Sequence, residues 1–304
     1  MFCKTFAALP LLFVFVAAHN FLITNDDGWA TAQARAQFNS FVNAGFNAIL
    51  SAPANQQTTD GADSTTPVPL TIPCQFNTCP VGSPAIGSDP SNPRLVYVNA
   101  FAIDAARFGI QTLAPQFFGG AAPDIVFSGP NIELGLPNNF TIASNLQAAV
   151  EAVKEGVPGV SIFAFGNAEV SFTTLTTEPG AQSTIAALTH SDLTTLLGAT
   201  MFNAGPPFLP PGVVLLVSYP RIPFCPEVSQ HQWIFSRLAS TTPSVQTCGQ
   251  ANLPLVNDLV SEQLIGACLV TVTAMNATTL GDTDVATQTA VLNKLTGLLS
   301  CFNS

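Results

Sequence analysis

The first half of the chain alternates short apolar runs with stretches that have helical periodicity. Apolar residues recur at spacings of three and four between the runs, which is typical of amphipathic helices. Apolar strands separated by helices form a parallel sheet with helices on both faces. We therefore predict an α/β fold with a mostly parallel, Rossmann-like sheet. The predicted strands are residues 21–24, 47–51, 95–98, 124–128 and 160–164, and the helices 30–42, 103–113 and 142–155.

The second half has a weaker pattern. We predict helices over residues 189–200 and 285–299 and strands over 213–217 and 268–275, with a loop-rich stretch from 220 to 261. Residues 58–92 are rich in Pro, Thr, Ser and Gly and read as a long insertion. We expect the main α/β domain to span residues 19–220 and residues 221–304 to form an extension packed on it.

The N-terminus has the pattern of a secretory signal peptide. Lys4 is followed by an apolar stretch over residues 6–16, and Ala18 offers a small residue before a cleavage site. A membrane span needs about 20 apolar residues, so this stretch is too short for one. We expect residues 1–18 to be removed, leaving a secreted protein without a membrane anchor.

The composition excludes some functions. Of 304 residues, 47% are hydrophobic and only 9% are charged, with a net charge of −10. An intrinsically disordered chain would be poorer in apolar residues. A negative net charge also opposes binding to the phosphates of a nucleic-acid polymer.

Six cysteines follow the predicted signal peptide, and an even number in a secreted chain indicates disulfides. Six cysteines allow fifteen pairings, of which we expect the most local one. Zinc is a weaker interpretation, because no CxxC occurs and histidines are few. Sequons at Asn139 and Asn276 are candidate glycosylation sites. The expected disulfides are Cys74–Cys79, Cys225–Cys248 and Cys268–Cys301.

Polar residues follow three of the predicted strands. Asp26 and Asp27 follow the first, residues 55–58 the second, and residues 128–131 the fourth. Parallel sheets bind ligands beyond the carboxyl ends of their strands. Two adjacent carboxylates repel each other unless a cation neutralises them, and oxygen donors nearby would suit Mg²⁺, Mn²⁺ or Ca²⁺. A solvated turn is the alternative, since Asn-Asp-Asp-Gly has good turn composition.

Several sequence blocks, in order along the chain, change that balance. The blocks are FLITNDDG at 21–28, SAPANQQT at 51–58, PDIVFSGPN at 123–131, AAVEA at 148–152 with GVP at 156–158, and LPPG at 209–212 with YP at 219–220. Together they span residues 21–220 and resemble the survival protein SurE family of metal-dependent phosphatases and nucleotidases, with the secreted acid-phosphatase-like members of fungi as the nearest subgroup.

The resemblance implies a site and an activity. The activity would be hydrolysis of phosphate monoesters, notably nucleoside monophosphates, by one divalent cation, with Mg²⁺ or Mn²⁺ expected and Ca²⁺ left open. The cation would polarise the phosphoryl group and activate a water. A homo-oligomer remains open. The implied metal ligands are Asp26, Asp27, Thr58 and Asn131, with Asp26 and Asp27 catalytic, and the implied substrate-binding residues are Asn25, Ser128, Gly129 and Ser144.

The chain also departs from the family. Thr58 replaces a serine, Gly135 stands where a second asparagine is common, and Leu146 replaces a phosphate-contacting threonine. The main rival hypothesis is therefore a catalytically weak or inactive secreted binding protein on the same scaffold. A serine hydrolase using His190 or His231 lacks the Gly-x-Ser-x-Gly motif. A copper site at an N-terminal His19 would resemble that of secreted polysaccharide monooxygenases, but those are β-sandwiches, and the alternation of strands and helices argues against that fold.

Overall fold

A computed structural model describes residues 19–57, 61–132, 137–165 and 168–302, without the side chains of 137–139. The predicted signal peptide, Thr58, Gly135 and the side chain of Asn139 lie outside the described residues.

The described residues form a single nine-stranded sheet in the order β3-β4-β2-β1-β5-β6-β7-β9-β8. The six strands from β4 to β7 in that order are parallel. The sheet ends in antiparallel pairs, β3 with β4 and β9 with β7, while β8 runs parallel to β9. The strands are β1 (Asn20–Thr24), β2 (Asn47–Pro53), β3 (Ile86–Asp89), β4 (Asn92–Val98), β5 (Ile125–Asn131), β6 (Gly159–Ala164), β7 (Val213–Tyr219), β8 (Gln232–Ser236) and β9 (Leu269–Asn276).

Helices cover both faces of this sheet. Helices α1, α6 and α8 pack on one face, and α2, α4 and α7 pack on the other. The helices are α1 (Ala32–Asn43), α2 (Ala102–Phe108), α3 (Ala114–Phe117), α4 (Ser144–Lys154), α5 (Thr174–Thr177), α6 (Gln182–Asn203), α7 (Val256–Leu264) and α8 (Val285–Lys294). Short turns are a π-helical one over Gly109–Leu113 and 3₁₀ turns over Gln75–Asn77, Pro137–Ile142, Ile222–Phe224 and Val228–Gln230.

Strand β1 shows why the apolar runs become central strands. Its side chains alternate between the two faces, and both faces are buried. Phe21 packs against Phe41 of α1 and Phe127 of β5, with ring centroids 4.9 and 5.2 Å apart. Leu22 packs on the opposite face in the cluster that includes Ile110. The predicted α/β class, with a mostly parallel sheet covered on both faces, is confirmed.

The predicted loop-rich stretch and the predicted insertion are more regular than their sequence pattern indicates. The stretch predicted as loop-rich contains β8 and the start of α7, and the insertion at 58–92 contains β3. Helix α6 begins at Gln182, ahead of the predicted start, whereas α8 ends at Lys294. Strand β8 is only five residues long, and its pairing with β9 accounts for a strand that local pattern does not reveal.

The C-terminal segment borders the outer side of β8. Isolated bridges join Trp233 to Leu299 and Arg237 to Leu255, and the Ser300 N–H donates to the Trp233 carbonyl at 2.7 Å.

The described helices include none with both the length and the apolar character needed to cross a bilayer.

Two of the three predicted disulfide pairings are wrong. Cys74–Cys79 is formed as expected, but the others are Cys225–Cys268 and Cys248–Cys301, with Cα atoms 5.6 and 5.5 Å apart. The parallel pairing of β8 and β9 explains this, because Cys225 precedes β8 and Cys268 immediately precedes β9. The Gln232 N–H donates to the Cys268 carbonyl at 2.9 Å, so the two strand starts are neighbours. Tertiary pairing thus overrides proximity in sequence.

Removing the disulfide between β8 and β9 is expected to lower stability. In the double variant Cys225→Ser/Cys268→Ser, we expect the free energy of unfolding to fall by about 2–4 kcal/mol, because the bond closes a loop of 43 residues. Urea denaturation followed by circular dichroism would measure this. Cys74→Ser/Cys79→Ser is the matched control, since its separation of 5 residues predicts a smaller loss. Equal losses in both variants would contradict the prediction.

A buried histidine links stability to pH. His190 of α6 is fully buried, and its ring stacks on Tyr219 with centroids 5.4 Å apart. Burial, and to a lesser degree the charge of His231, lowers the pKa of His190 from 6.5 to about 3, while the Pro220 carbonyl acts in the opposite direction. The folded protein therefore keeps this ring neutral well below the pH at which an exposed histidine takes up a proton.

The expected result is acid-dependent stability. Between pH 6.5 and about 3 the unfolded chain binds a proton at His190 that the folded chain does not, so the free energy of unfolding falls as the pH falls. In His190→Phe this decline should be shallower by up to about 1.4 kcal/mol per pH unit. Urea denaturation of both proteins from pH 4 to 7 would measure it. Parallel pH profiles would rule out His190 as the titrating group.

Candidate active site

The turn after β1 is closed by the side chain of Asn25. Its Nδ2 donates to the Gly28 carbonyl at 3.0 Å, and the Gly28 N–H donates back to its Oδ1 at 3.1 Å. Gly28 has φ +106°, a conformation that favours glycine. Asn25 thus uses its amide to hold the turn, and the two aspartates between these residues are both buried.

The carboxylate of Asp26 is held by two donors from other elements. Its Oδ2 accepts from Nδ2 of Asn131 at 2.8 Å and from the N–H of Asn145 at 3.0 Å. Asn145 is the second residue of α4, where backbone N–H groups have no partner within the helix. The cap residue Ala143 supplies no side-chain acceptor. Asp26 therefore fills this role from a distant part of the chain, and the positive end of the helix stabilises its charge.

Asp27 is held at both its carboxylate and its main chain. Its Oδ2 accepts from the Ile132 N–H at 3.1 Å, and its carbonyl accepts from Nε2 of Gln75 at 2.6 Å. The neighbouring carbonyl of Asp26 accepts from the Gln57 N–H at 2.7 Å. The end of β1 is thus tied to the chain following β5 and β2.

The end of β5 packs tightly against β6. Gly129 has φ +114°, and a Cβ at this position would collide with the carbonyl oxygen of Ile162 on β6. The absence of a side chain therefore lets β5 and β6 approach closely here. Next to it, the hydroxyl of Ser128 is fully buried and has no hydrogen-bond partner among the described residues.

The structure brings most of the predicted site residues to one edge of the sheet. Asp26, Asp27 and Asn131 meet through the contacts above, and Asn25 closes their turn. Ser144 is buried at the first position of α4, one residue from the Asn145 N–H that reaches Asp26. The chain leading to Thr58 passes the site, because Gln57 contacts Asp26.

The site residues predicted from the sequence do not include Asn145, Ile132, Gln75 or Glu169. Asn145 and Ile132 act through backbone N–H groups, which any residue type could supply, so their identity carries no signal. Gln75 lies in the Cys74–Cys79 loop and also donates to the Glu169 carboxylate. The position of Gln75 next to Cys74, a cysteine of a predicted disulfide, is the sequence feature that could have pointed to it.

The donors at this edge suit a hard divalent cation. Asp26, Asp27 and Asn131 have oxygens that could hold one, and the buried Ser128 hydroxyl adds a polar group with no hydrogen-bond partner among the described residues. In the described part of the chain, no cluster of three or more His, Cys, Asp or Glu side chains has the geometry of a metal site. A cation here would rely on two carboxylates and neutral oxygens, the type of ligand that Mg²⁺ and Mn²⁺ accept.

Comparison with known proteins agrees with the fold and with the blocks at the strand ends. A family model described as survival protein SurE matches residues 21–235. An acid phosphatase of Yarrowia lipolytica is 30% identical over 206 residues, covering 66% of this chain and 56% of that protein. The 5'-nucleotidase SurE of Synechocystis sp. is 24% identical over 193 residues, covering 63% of this chain and 62% of that protein. The chain thus spans less than two thirds of either relative.

A solved structure shows similarity over a larger share of the chain. The SurE protein of Aquifex aeolicus superposes with a TM-score of 0.57 at 16% identity, covering 85% of this chain and 93% of that one. At this identity the superposition shows a shared fold. The family model, in contrast, covers most of the chain, including the Asp26–Asp27 turn and the end of β5. The chain belongs to the SurE family.

Proposed function

We propose that this protein is a metal-dependent phosphomonoesterase, of the 5'/3'-nucleotidase or acid phosphatase type, that hydrolyses nucleoside monophosphates or other phosphate monoesters. The observation that carries the proposal is the pair of buried adjacent carboxylates at the end of β1, each oriented by a backbone N–H from another element. Relatives named acid phosphatase and 5'-nucleotidase support a phosphomonoesterase.

In this proposal Asp26, Asp27 and Asn131 hold one divalent cation, Mg²⁺ or Mn²⁺, with Thr58 as a further ligand. When bound, the cation would polarise the phosphoryl group and lower the pKa of the attacking water. The two carboxylates supply the negative charge that keeps the cation in place. Their orientation is set before the cation arrives, because Asn145 and Ile132 already fix both.

The protein's own residues would bind the phosphate at the end of β5. The Ser128 hydroxyl is buried without a partner among the described residues, so it can donate to a phosphate oxygen without breaking an existing bond. Gly129 carries no side chain, so β5 and β6 stay close together beside this hydroxyl.

We also propose that the protein acts outside the cell. Its three disulfides are typical of an oxidising compartment, and the N-terminal 18 residues have the pattern of a signal peptide. Asn276 is half-buried at the end of β9, and its Oδ1 accepts from the N–H groups of Thr278 and Thr279. Glycosylation at Asn276, like that at Asn139, stays a prediction.

A second candidate function is binding without turnover on the same scaffold. Leu146 of α4 favours the binding function. Its side chain is fully buried in an apolar cluster, and it offers no hydroxyl where the family has one. The phosphate would then have fewer donors than in an active relative. An activity measurement separates the two functions directly.

The decisive experiment is phosphate release by the purified mature protein. We expect release from nucleoside 5'- and 3'-monophosphates or an aryl phosphate between pH 4 and 8, lost with EDTA and restored by Mg²⁺ or Mn²⁺, because the cation is held by the two aspartates. Colorimetric detection of phosphate would measure it. Release that persists after EDTA would contradict metal dependence. No release from folded protein would favour the binding function.

Removing either charge from the pair should abolish turnover. Asp26→Asn and Asp27→Asn keep the side-chain shape but remove a ligand charge, so we expect turnover to fall by more than about 100-fold. Phosphate release at matched protein concentration would measure this, with circular dichroism to show that the fold is intact. Asp192→Asn is the control, because Asp192 is an exposed carboxylate on α6. Unchanged turnover in either site variant would contradict the proposed role of the pair.

A further inference from the structure

The small disulfide loop at Cys74–Cys79 is anchored against the end of β2. The Cys74 N–H donates to the Cys79 carbonyl at 2.9 Å, and the Gln75 N–H donates to the carbonyl of Ala54, the residue after β2, at 3.0 Å. Thr78 Oγ1 donates to the Gln75 carbonyl at 2.8 Å. The backbone of Gln75 is thus fixed on both sides, and its side chain projects from a rigid base.

That side chain reaches the turn that carries the two aspartates. Nε2 of Gln75 donates to the Asp27 carbonyl at 2.6 Å and also to the carboxylate of Glu169. Packing is close as well, because a Cβ built on Gly28 would lie 2.5 Å from Oε1 of Gln75. The amide therefore occupies the space that glycine leaves at the turn.

We propose that Gln75 is a positioning residue for the Asp26–Asp27 pair, held in place by the Cys74–Cys79 disulfide. Two hydrogen bonds hold Asp27, because the Gln75 side chain donates to its main-chain carbonyl and the Ile132 N–H donates to its carboxylate. Fixing the peptide fixes the direction in which the carboxylate points. This inference rests on the proposed function, because it concerns the affinity of the pair for a divalent cation.

Glu169 is the second anchor of this arrangement. It is half-buried, and its carboxylate accepts one of the Gln75 amide hydrogens while the Asp27 carbonyl accepts the other. A hydrogen bond to a charged acceptor is stronger than a neutral one. Glu169 therefore holds the amide in the orientation in which it donates to Asp27.

The inference requires the donors of Gln75 and not merely its bulk. Gln75→Met keeps a side chain of similar length without an N–H group, so it separates hydrogen bonding from space filling. Cys74→Ser/Cys79→Ser keeps the Gln75 amide but removes the disulfide that fixes the backbone of its loop. Glu169→Gln keeps an oxygen acceptor without the charge and provides a milder variant, should Gln75→Met fail to fold.

The test measures Mn²⁺ binding by isothermal titration calorimetry, which needs no turnover, and then kcat and KM at limiting and saturating Mn²⁺. For Gln75→Met we expect the Kd for Mn²⁺ to rise by about 10–100-fold, the range typical of residues that orient metal ligands. Saturating Mn²⁺ should restore most of kcat, and KM for the phosphate ester should stay unchanged. The disulfide variant and Glu169→Gln should shift the Kd in the same direction by less.

The controls are Gln182→Met, an exposed glutamine on α6, and Cys248→Ser/Cys301→Ser, which removes the disulfide beside β8. Both should bind Mn²⁺ like the wild type. A folded Gln75→Met protein with wild-type Mn²⁺ affinity would overturn the inference and leave the proposed function standing. A wild-type protein that binds no Mn²⁺ would overturn both.

Discussion

Two buried carboxylates on consecutive residues are the constraint around which the rest of the site is built. Removing a charged group from water costs several kcal/mol unless donors or an opposite charge compensate it. In this protein the donors come from the chain after β5 and from the start of α4. Both elements must therefore meet the end of β1 for the fold to accommodate Asp26 and Asp27. The geometry of the site is in this sense a condition of the fold itself.

The bond between Asp26 and α4 connects site and scaffold most directly. Ala143 cannot cap the helix with its side chain, so an aspartate more than a hundred residues away accepts one of the free N–H groups. Helix α4 in turn packs on β5 and β6, and β5 carries Ser128, Gly129 and Asn131. The same hydrogen bond thus orients the Asp26 carboxylate and gives a free N–H group at the start of α4 an acceptor.

Local sequence pattern determines the centre of this protein and not its periphery. Residues 21–23 and 125–127 are apolar on both faces, so they predict buried parallel strands, and the polar residues that follow them predict the site. The pairing of Cys225 with Cys268 depends on β8 lying beside β9, which no local pattern reveals. Likewise, the backbone donors Ile132 and Asn145 and the reach of Gln75 arise from tertiary packing.

The two ends of the sheet bear on how copies of the protein behave at high concentration. Strand β3 has four residues and a register shift at Ser88 and Asp89, while β8 has five residues flanked by bridges to Leu299 and Leu255. Long, flat edge strands invite pairing with another chain, and charge repulsion normally opposes this. The net charge of −10 makes copies repel each other, but charged residues are only 9% of the chain, so few charged side chains are available to protect an edge strand. The shortness of β3 and the chain segments that border β8 therefore add protection against aggregation by strand addition.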